Sequence, residues 1–264
     1  MAWEYVSVKK TGRIAVVSFD RGDNVNAMSR QLIIELTEAA RSFDDDVETS
    51  AIILTGVGAN FTLGADLKDP ASAEARTAGL GTRRKMLQVG PKLCRAWEEL
   101  EPMTIVAIEG WCVGGGAALT VACDLRVMGA GGHVYVPEIE RGMNMSWGSV
   151  PRITNLVGPA KAKRIVVMAE KIGAERALQW GLADEVVGDG ETFDKAMEMA
   201  ERIAALPPVG VRMCKQDVTM AATALNHAVS HMDGDQFALA QSSEDFAEGV
   251  QSFLEKRPPR YTGC

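Results

Sequence analysis

The chain has 264 residues, of which 47% are hydrophobic and 24% are charged, a composition typical of a globular protein with a sizeable buried core. Its net charge of −7 and pI ≈ 5.2 argue against general nucleic-acid binding. The sequence shows no secretory signal, no apolar run near the ~18 residues of a membrane span, and five scattered cysteines without CxxC spacing, so we expect a cytoplasmic protein with free thiols and no metal site.

The first part of the chain predicts two strands around a helix. Residues 13–19 are β-branched and short, which is typical of a strand. A turn follows at 23–26, and Ser29 is placed to cap a helix with apolar residues at helical spacing to about residue 45. Residues 51–55 (AIILT) predict a second, fully apolar strand that ends in a glycine-rich turn.

The middle of the chain predicts a loop, two helices and three more strands. Residues 70–100 are polar with scattered apolar positions, which indicates a mobile loop followed by a helix. Residues 104–108 predict a third strand, which leads through three glycines into a small-residue helix ending near Ala122. Two further strands are predicted at 124–128 and 133–136.

The C-terminal part is mainly helical from about residue 158, apart from a short strand at 185–187 and a break at Pro207–Pro208. Strands that alternate with helices predict an α/β body. Residues 1–195 are expected to form that body, and residues 196–264 to form a helical appendage.

Two glycine-rich segments follow predicted strands. The first is residues 60–68, and the second is residues 109–119, in which Gly114, Gly115 and Gly116 precede a helix. Bare backbone N–H groups at a helix start suit an anionic oxygen. A tight strand-to-helix crossing that only glycine fits explains the same pattern, so both interpretations stay open. Neither GxGxxG nor GxxxxGK[ST] is present, and phosphate-loop chemistry is not supported.

Five blocks of sequence together resemble one known family. They are FTLGADLK at 61–68, GWCVGGGAALTVACD at 110–124, VPEI at 136–139 with Gly142, AERALQWGLADEVV at 174–187 and SEDFAEGVQSFLEKRP at 243–258. Their content and order resemble the enoyl-CoA hydratase/isomerase, or crotonase, superfamily over nearly the whole chain.

The resemblance implies a fold and an assembly. It implies a crotonase-like spiral of β-β-α units in residues 1–195 and a helical trimerisation region in residues 196–264. A homotrimer or a hexamer is therefore expected. The implied substrate is an acyl-CoA, so that coenzyme A arrives as part of the substrate and no separate cofactor is expected.

The resemblance also implies a binding site for a thioester. In this family two backbone N–H groups hold the thioester oxygen, and the matching positions are Ala65 and Gly115. Fixed donors of this kind stabilise the negative charge that develops when a proton next to the thioester is removed. Asp66, Leu67 and Lys68 match the contact with the adenine and pantetheine parts of coenzyme A.

The acid–base positions depart from the hydratase pattern. Hydratases of this family use two glutamates, of which one is present as Glu138 while the other is replaced by Ala118. A single carboxylate can still move a proton between two carbons, so double-bond isomerisation is favoured, provided that burial raises the pKa of Glu138. Glu140 is a possible second carboxylate, because in an extended segment it would share a face with Glu138, although a solvated side chain is favoured.

The segment 143–149 also departs from the family pattern. Ser146 cannot replace a catalytic acid, although it can bind a polar group of a substrate. Trp147, Met143 and Met145 either line an acyl pocket or pack in the core, and the sequence favours neither interpretation.

Several basic, aromatic and histidine side chains outside the five blocks or at their end have either a binding role or an ordinary surface role. Basic residues at 75–97 form either a solvated helix face or cationic neighbours for the phosphates of coenzyme A. Phe253 and Lys256 are possible contacts for coenzyme A. His227 and His231 are four residues apart, but they lack a third ligand and are interpreted as a helix face.

Two alternatives to the isomerase remain. The first is a hydratase, lyase or hydrolase for an unusual acyl-CoA, in which another group replaces the lost glutamate. The second is a catalytically silent homologue that binds coenzyme A or RNA, which only the basic segment at 75–97 favours.

Overall fold

The computed structural model describes residues 3–66 and 68–264, and of Ser72, Ala73, Ala75 and Arg76 it describes the backbone alone. Leu67, a predicted substrate contact, lies outside the described residues.

A six-stranded sheet forms the centre of the molecule. Its order is β1-β2-β3-β4-β6-β9, with the first pair antiparallel and all others parallel. The strands are β1 (Val6–Thr11), β2 (Ile14–Phe19), β3 (Ala51–Gly56), β4 (Met103–Ile108), β6 (Leu125–Gly129) and β9 (Glu185–Val187). Parallel strands of this kind are covered on both faces, which explains why the β3 sequence is apolar throughout.

A second sheet of three short strands lies beside the first. It has the order β5-β7-β8 and comprises β5 (Trp111–Val113), β7 (His133–Tyr135) and β8 (Ile172–Gly173). Consecutive strands β4 and β5, and then β6 and β7, place one strand in each sheet before the chain turns into a helix. This repetition confirms the expected α/β fold built from β-β-α units.

Thirteen α-helices lie within the described ranges. They are α1 (Arg30–Arg41), α2 (Pro70–Thr77), α3 (Leu80–Met86), α4 (Val89–Glu98), α5 (Gly115–Thr120), α6 (Ser149–Val157), α7 (Pro159–Val166), α8 (Ala174–Trp180), α9 (Thr192–Ala204), α10 (Pro208–Thr223), α11 (Asn226–Ser230), α12 (Asp233–Ala240) and α13 (Glu244–Glu255). A 3₁₀ helix spans Glu138–Arg141.

Helices cover the two faces of the large sheet. Alternate residues of β3 point to opposite faces: Ile52 and Leu54 join the core that contains α1 and α4, whereas Ile53 joins a smaller core with Ala196 and Ala200 of α9. The expected boundary between residues 195 and 196 therefore falls inside α9, and this helix packs on the α/β body.

Several local predictions are confirmed and others are wrong. Ser29 caps α1 by accepting a hydrogen bond from the Leu32 N–H (3.2 Å), and Pro207 and Pro208 separate α9 from α10. Residues 70–100 contain three helices instead of a loop and one helix. Strands β1, β5 and β8 were not predicted. The strands β5 and β8 have three and two residues, too few for a periodic pattern, and in the six residues of β1 only Val6 is buried, so that strand carries no sustained alternation of apolar and polar residues.

The chain contains no helix, within the described residues, that is long and apolar enough to cross a membrane. All five cysteines are free, and burial raises the pKa of the Cys94, Cys112 and Cys123 thiols to about 12. These three thiols are therefore packing residues without nucleophilic character.

Candidate active site

The first glycine-rich segment, residues 60–68, pairs with strand β5 through Thr62 and with Met28 through Ala65. Thr62 forms a bridge with Cys112 of β5, and its hydroxyl donates to the Asn26 carbonyl (2.6 Å). Three residues further on, Ala65 forms a parallel bridge with Met28. The segment is thus fixed on both sides by backbone pairing, which places its N–H groups accurately.

The Ala65 N–H points away from its backbone neighbour. Met28 donates to the Gly64 carbonyl (2.8 Å) and accepts from the Asp66 N–H (3.2 Å). In a parallel bridge these bonds flank Ala65, whose own N–H then faces the other side. No acceptor for it exists among residues 3–66 and 68–264, so the group is free to bind a ligand.

The Gly115 N–H is free for a different reason. Gly115 is the first residue of α5, and such N–H groups have no partner in their own helix. Gly114 turns the chain into the helix with φ +53, and its N–H donates to the Tyr135 carbonyl (2.8 Å). The described part of the chain offers the Gly115 N–H no acceptor.

The Glu138 carboxyl lies against this turn. A Cβ at Gly114 would be 2.6 Å from Glu138 Oε1, so glycine is required there both by its positive φ and by the nearby carboxyl. Glu138 Oε2 is buried and has no hydrogen-bond partner within the described residues. Burial, which disfavours the charged form, raises the pKa of Glu138 from 4.5 to about 7.

Glu140 is not a second carboxylate of the site, because the segment is a 3₁₀ helix and not extended. Glu140 is exposed and accepts a hydrogen bond from the Tyr135 hydroxyl. The position matching the second glutamate, Ala118, is fully buried.

Two cavities meet at Ala65 and Glu138. The larger, of about 840 Å³, is lined by several charged side chains, and we call it the polar cleft. Its lining includes Tyr5, Arg21, Asp66, Lys68, Gly114, Arg141 and Phe253. The smaller, of about 310 Å³, is mainly apolar. Its lining includes Met28, Met86, Met143, Met145, Trp147, Phe237, Phe246 and Leu254. Glu138 and Ala65 thus lie between a polar cleft and an apolar pocket.

The polar cleft contains two arginines that the sequence did not single out. Arg21 forms an ion pair with Asp66 (3.1 Å), and the Arg141 guanidinium lies over the Phe253 ring (4.2 Å to the centroid). The predicted residues Asp66, Lys68 and Phe253 line this cleft, whereas Lys256, which caps α13, does not. For Arg141, its position within the 136–142 block was the one sequence feature that could have indicated a place in the site; for Arg21 there was no such feature.

The C-terminal helices close both cavities from the same chain. Phe246, Leu254 and Phe253 of α13 reach them, and α13 packs closely on the 3₁₀ helix. A Cβ at Gly249 would be 2.5 Å from the Arg141 carbonyl carbon, and one at Gly142 would be 2.7 Å from the Asp245 backbone. Two glycines therefore permit the close packing of α13 on the 3₁₀ helix that carries Glu138.

The basic segment at 75–97 and His231 of the histidine pair have structural contacts outside the candidate site. Arg84 pairs with Asp235 (2.8 Å), and Arg83 donates to Gln241 (3.1 Å), so these basic residues hold α3 against α12. No cluster of potential metal ligands occurs in the described ranges. His231 contacts the Ala228 carbonyl through Nδ1 (3.0 Å) within its own helix.

Comparison with protein families gives one match over almost the whole chain. The model described as "Enoyl-CoA hydratase/isomerase" matches residues 9–264.

Individual relatives and a solved structure agree with this match. The chain is 30% identical to a short-chain-enoyl-CoA hydratase of Clostridium acetobutylicum, over 96% of this chain and 95% of that protein. It is also 30% identical to a crotonyl-CoA hydratase of Syntrophomonas wolfei, over 99% of both chains. An enoyl-CoA hydratase/isomerase from Pseudoalteromonas atlantica superposes with a TM-score of 0.87 at 25% identity, covering 98% of this chain and 100% of that one.

Proposed function

The chain belongs to the enoyl-CoA hydratase/isomerase family, and from that premise we propose that it shifts the double bond of an enoyl-CoA, with Glu138 as the single acid–base group. The observation that carries this proposal is the position of the Glu138 carboxyl against Gly114, in a cavity that Gly115 also lines, with no second carboxylate at residue 118.

The thioester oxygen is proposed to bind between the N–H groups of Ala65 and Gly115. Both groups lack a protein acceptor in the described ranges, and Ala65 and Glu138 line both cavities. In a site that excludes water, one such donor is commonly worth about 10²–10³-fold in rate. The polar cleft would then hold the coenzyme A portion and the apolar pocket the acyl chain.

The proton moves through Glu138 in two steps. The carboxylate removes a proton from C2 of a 3-enoyl thioester, and the C–H electron pair enters a dienolate whose oxygen accepts from the two N–H groups. The protonated carboxyl then returns the proton to C4, so the double bond moves from C3–C4 to C2–C3. A carboxyl with a pKa of about 7 is suited to both steps near neutral pH.

The competing proposal is a hydratase or another acyl-CoA enzyme. It is supported by the relatives, which are named hydratases. The buried Ala118 weighs against it, because the carboxylate that would help to activate water is missing. Product analysis with a 2-enoyl-CoA and a 3-enoyl-CoA distinguishes these reactions.

The test of the acid–base assignment uses two neighbouring glutamates. Glu138→Gln is expected to lower turnover of a 3-enoyl-CoA at least about 100-fold, as loss of a general base does. Glu140→Gln, on the same 3₁₀ helix, is expected to leave turnover unchanged because Glu140 is exposed and bonded to Tyr135. Full activity of Glu138→Gln on every thioester tested would contradict the proposal.

An RNA-binding homologue without catalysis is the third candidate. Its only support, the basic segment at 75–97, is weakened because Arg83 and Arg84 bind α12. Salt-dependent RNA retention without thioester turnover would favour it.

A homotrimer or hexamer is also proposed, supported by exposed apolar residues on α10. Met213 is 60% exposed and Met220 is 67% exposed. These two residues are seven apart and share one face of the helix, and exposed apolar faces mark contact surfaces. Light scattering is expected to give a mass of three or six chains. Met213→Glu with Met220→Glu should reduce the mass, whereas Glu198→Lys on α9 should not.

A further inference from the structure

The Trp147 ring lines the apolar pocket and packs directly against two glycines, Gly90 and Gly115. A Cβ at Gly90 of α4 would lie 1.8 Å from Trp147 Cε2, and a Cβ at Gly115 of α5 would lie 2.8 Å from Cη2 and Cζ3 of the same ring. The indole is therefore inserted between the two helices. Gly90 costs α4 about 1 kcal/mol relative to alanine, and room for this ring is a structural reason for it.

Two hydrogen bonds, to Arg152 of α6 and to Asp233 of α12, hold the loop that carries the indole. Trp147 has φ +61, and Gly148 has φ +68. Arg152 donates to the Trp147 carbonyl (2.9 Å) while it forms a bidentate ion pair with Glu98, and the Gly148 N–H donates to Asp233 of α12 (2.8 Å). The ring thus has one fixed position.

The Trp147 ring occupies the space that a side chain longer than alanine would need at residue 118. Gly115 and Ala118 are three residues apart and share a face of α5. A helical side chain leans toward the helix N-terminus and covers the preceding turn, so a glutamate at 118 would lie over Gly115. The Trp147 ring already occupies that place.

The indole also makes this wall apolar. Met28, whose sulfur lies 3.4 Å from the same Gly115 Cβ position, and Met145 continue it. Two other carboxylates line the pocket, but Asp66 pairs with Arg21, and Asp69 accepts from the backbone of Arg30 and Ala71. Among the described residues that line this pocket, Glu138 is therefore the one carboxylate without a partner that a water could meet.

We propose that Trp147 is a specificity-determining residue: its indole fills the space of a second acid–base carboxylate and so prevents the addition of an activated water at C3, which leaves proton transfer between C2 and C4 by Glu138 as the reaction of the site. This inference rests on the proposed function and adds the reason that this chain favours isomerisation over hydration.

The test is a set of variants assayed for water addition to a short 2-enoyl-CoA, with 3-hydroxyacyl-CoA measured by mass spectrometry. Ala118→Glu alone is expected to add no hydration, because the indole blocks the carboxylate. Ala118→Glu with Trp147→Gly, glycine being suited to φ +61, is expected to raise hydration at least about tenfold over wild type, against the ~10²–10⁴-fold of a well-placed acid–base group. Ala118→Glu with Trp180→Ala is the matched control and should behave as Ala118→Glu.

Thermal unfolding gives a readout that does not need activity. Gly90→Ala is expected to lower Tm in the wild type but not in the Trp147→Gly background, and Trp147→Gly is expected to recover part of the Tm lost by Ala118→Glu. Coupling of this kind is the sign of side chains that share one space. Strictly additive losses in Tm would overturn the assignment of the space to Trp147.

Hydration rates can also overturn the inference about Trp147, and a proton-exchange experiment separates it from the proposed function. Hydration by Ala118→Glu alone that equals the double variant, or wild-type hydration as fast as isomerisation, would overturn it. Exchange of the C2 protons with deuterated water tests Glu138 itself. If exchange depends on Glu138 but the double variant adds no water, the inference fails and the proposed base stands; if exchange is independent of Glu138, the proposed function fails.

Discussion

At the scale of single residues, the environment of Glu138 predicts a pH dependence of activity. Burial raises its pKa to about 7, and only the ionised form removes a proton. We therefore expect kcat/KM for a 3-enoyl-CoA to rise with pH and to reach half its plateau near pH 7. An inflection near the ordinary glutamate value of 4.5 would show that Glu138 is not buried in solution.

The same pKa predicts how stability changes with pH. The folded protein holds the Glu138 proton more tightly than the unfolded chain, so this contribution to stability is full below about pH 4.5 and is lost as the pH rises through about 7. Glu138→Gln removes the titrating group. In thermal unfolding, its Tm is expected to fall less than that of wild type between these pH values; identical slopes would contradict the assignment.

Addition of a single methyl group at Gly114 is expected to lower turnover strongly. Gly114→Ala would strain a backbone with φ +53 and would place a Cβ 2.6 Å from Glu138 Oε1. Turnover is expected to fall, as shifts of ~1 Å in a catalytic group commonly cost 10²-fold. Gly210→Ala on α10, where a Cβ meets nothing within 4 Å, is the control and should leave turnover unchanged.

At the scale of elements, the contact of α13 with the 3₁₀ helix connects the C-terminal region to the site. Gly249→Ala would push a Cβ to 2.5 Å from the Arg141 carbonyl carbon, and α13 must then move away from both cavities. A lower Tm and a higher Kd for acyl-CoA are expected, the latter measured by calorimetry. An unchanged Kd would show that α13 does not close the site.

At the scale of the whole molecule, a buried ion pair joins the C-terminal helices to the α/β body. Lys215 of α10 lies 2.7 Å from Asp124 and donates to the Pro102 carbonyl (2.7 Å), while Asp124 also accepts from Thr104. Removing one partner of such a pair leaves the other charge buried.

Lys215→Met is therefore expected to lower the free energy of unfolding by about 3–5 kcal/mol. The measurement is denaturant unfolding. Arg84→Gln, which breaks a solvent-exposed pair with Asp235, is the control and should have little effect. An equal and small effect of both variants would mean that water reaches the Lys215 pair.

Sequence patterns alone predict the α/β class, several of the longer elements and the candidate residues of the site. Strands β2, β3 and β4 and helix α1 have local periodic patterns, and the positions of Gly114, Gly115, Glu138 and Ala118 are visible in single motifs. These features depend on neighbours within a few residues, which is the range over which sequence patterns carry information.

The surroundings of these candidate residues follow from tertiary packing, which the sequence patterns do not show. The free N–H of Ala65 depends on pairing with Met28. The packing of α13 on the 3₁₀ helix that carries Glu138 depends on Gly142 against Asp245 and on Gly249 against Arg141. The apolar wall depends on a tryptophan between Gly90 and Gly115. Each contact joins residues far apart in the chain and is set by the space that other elements leave. Periodicity and motifs report local preferences, whereas burial and close packing follow from the positions of all elements together.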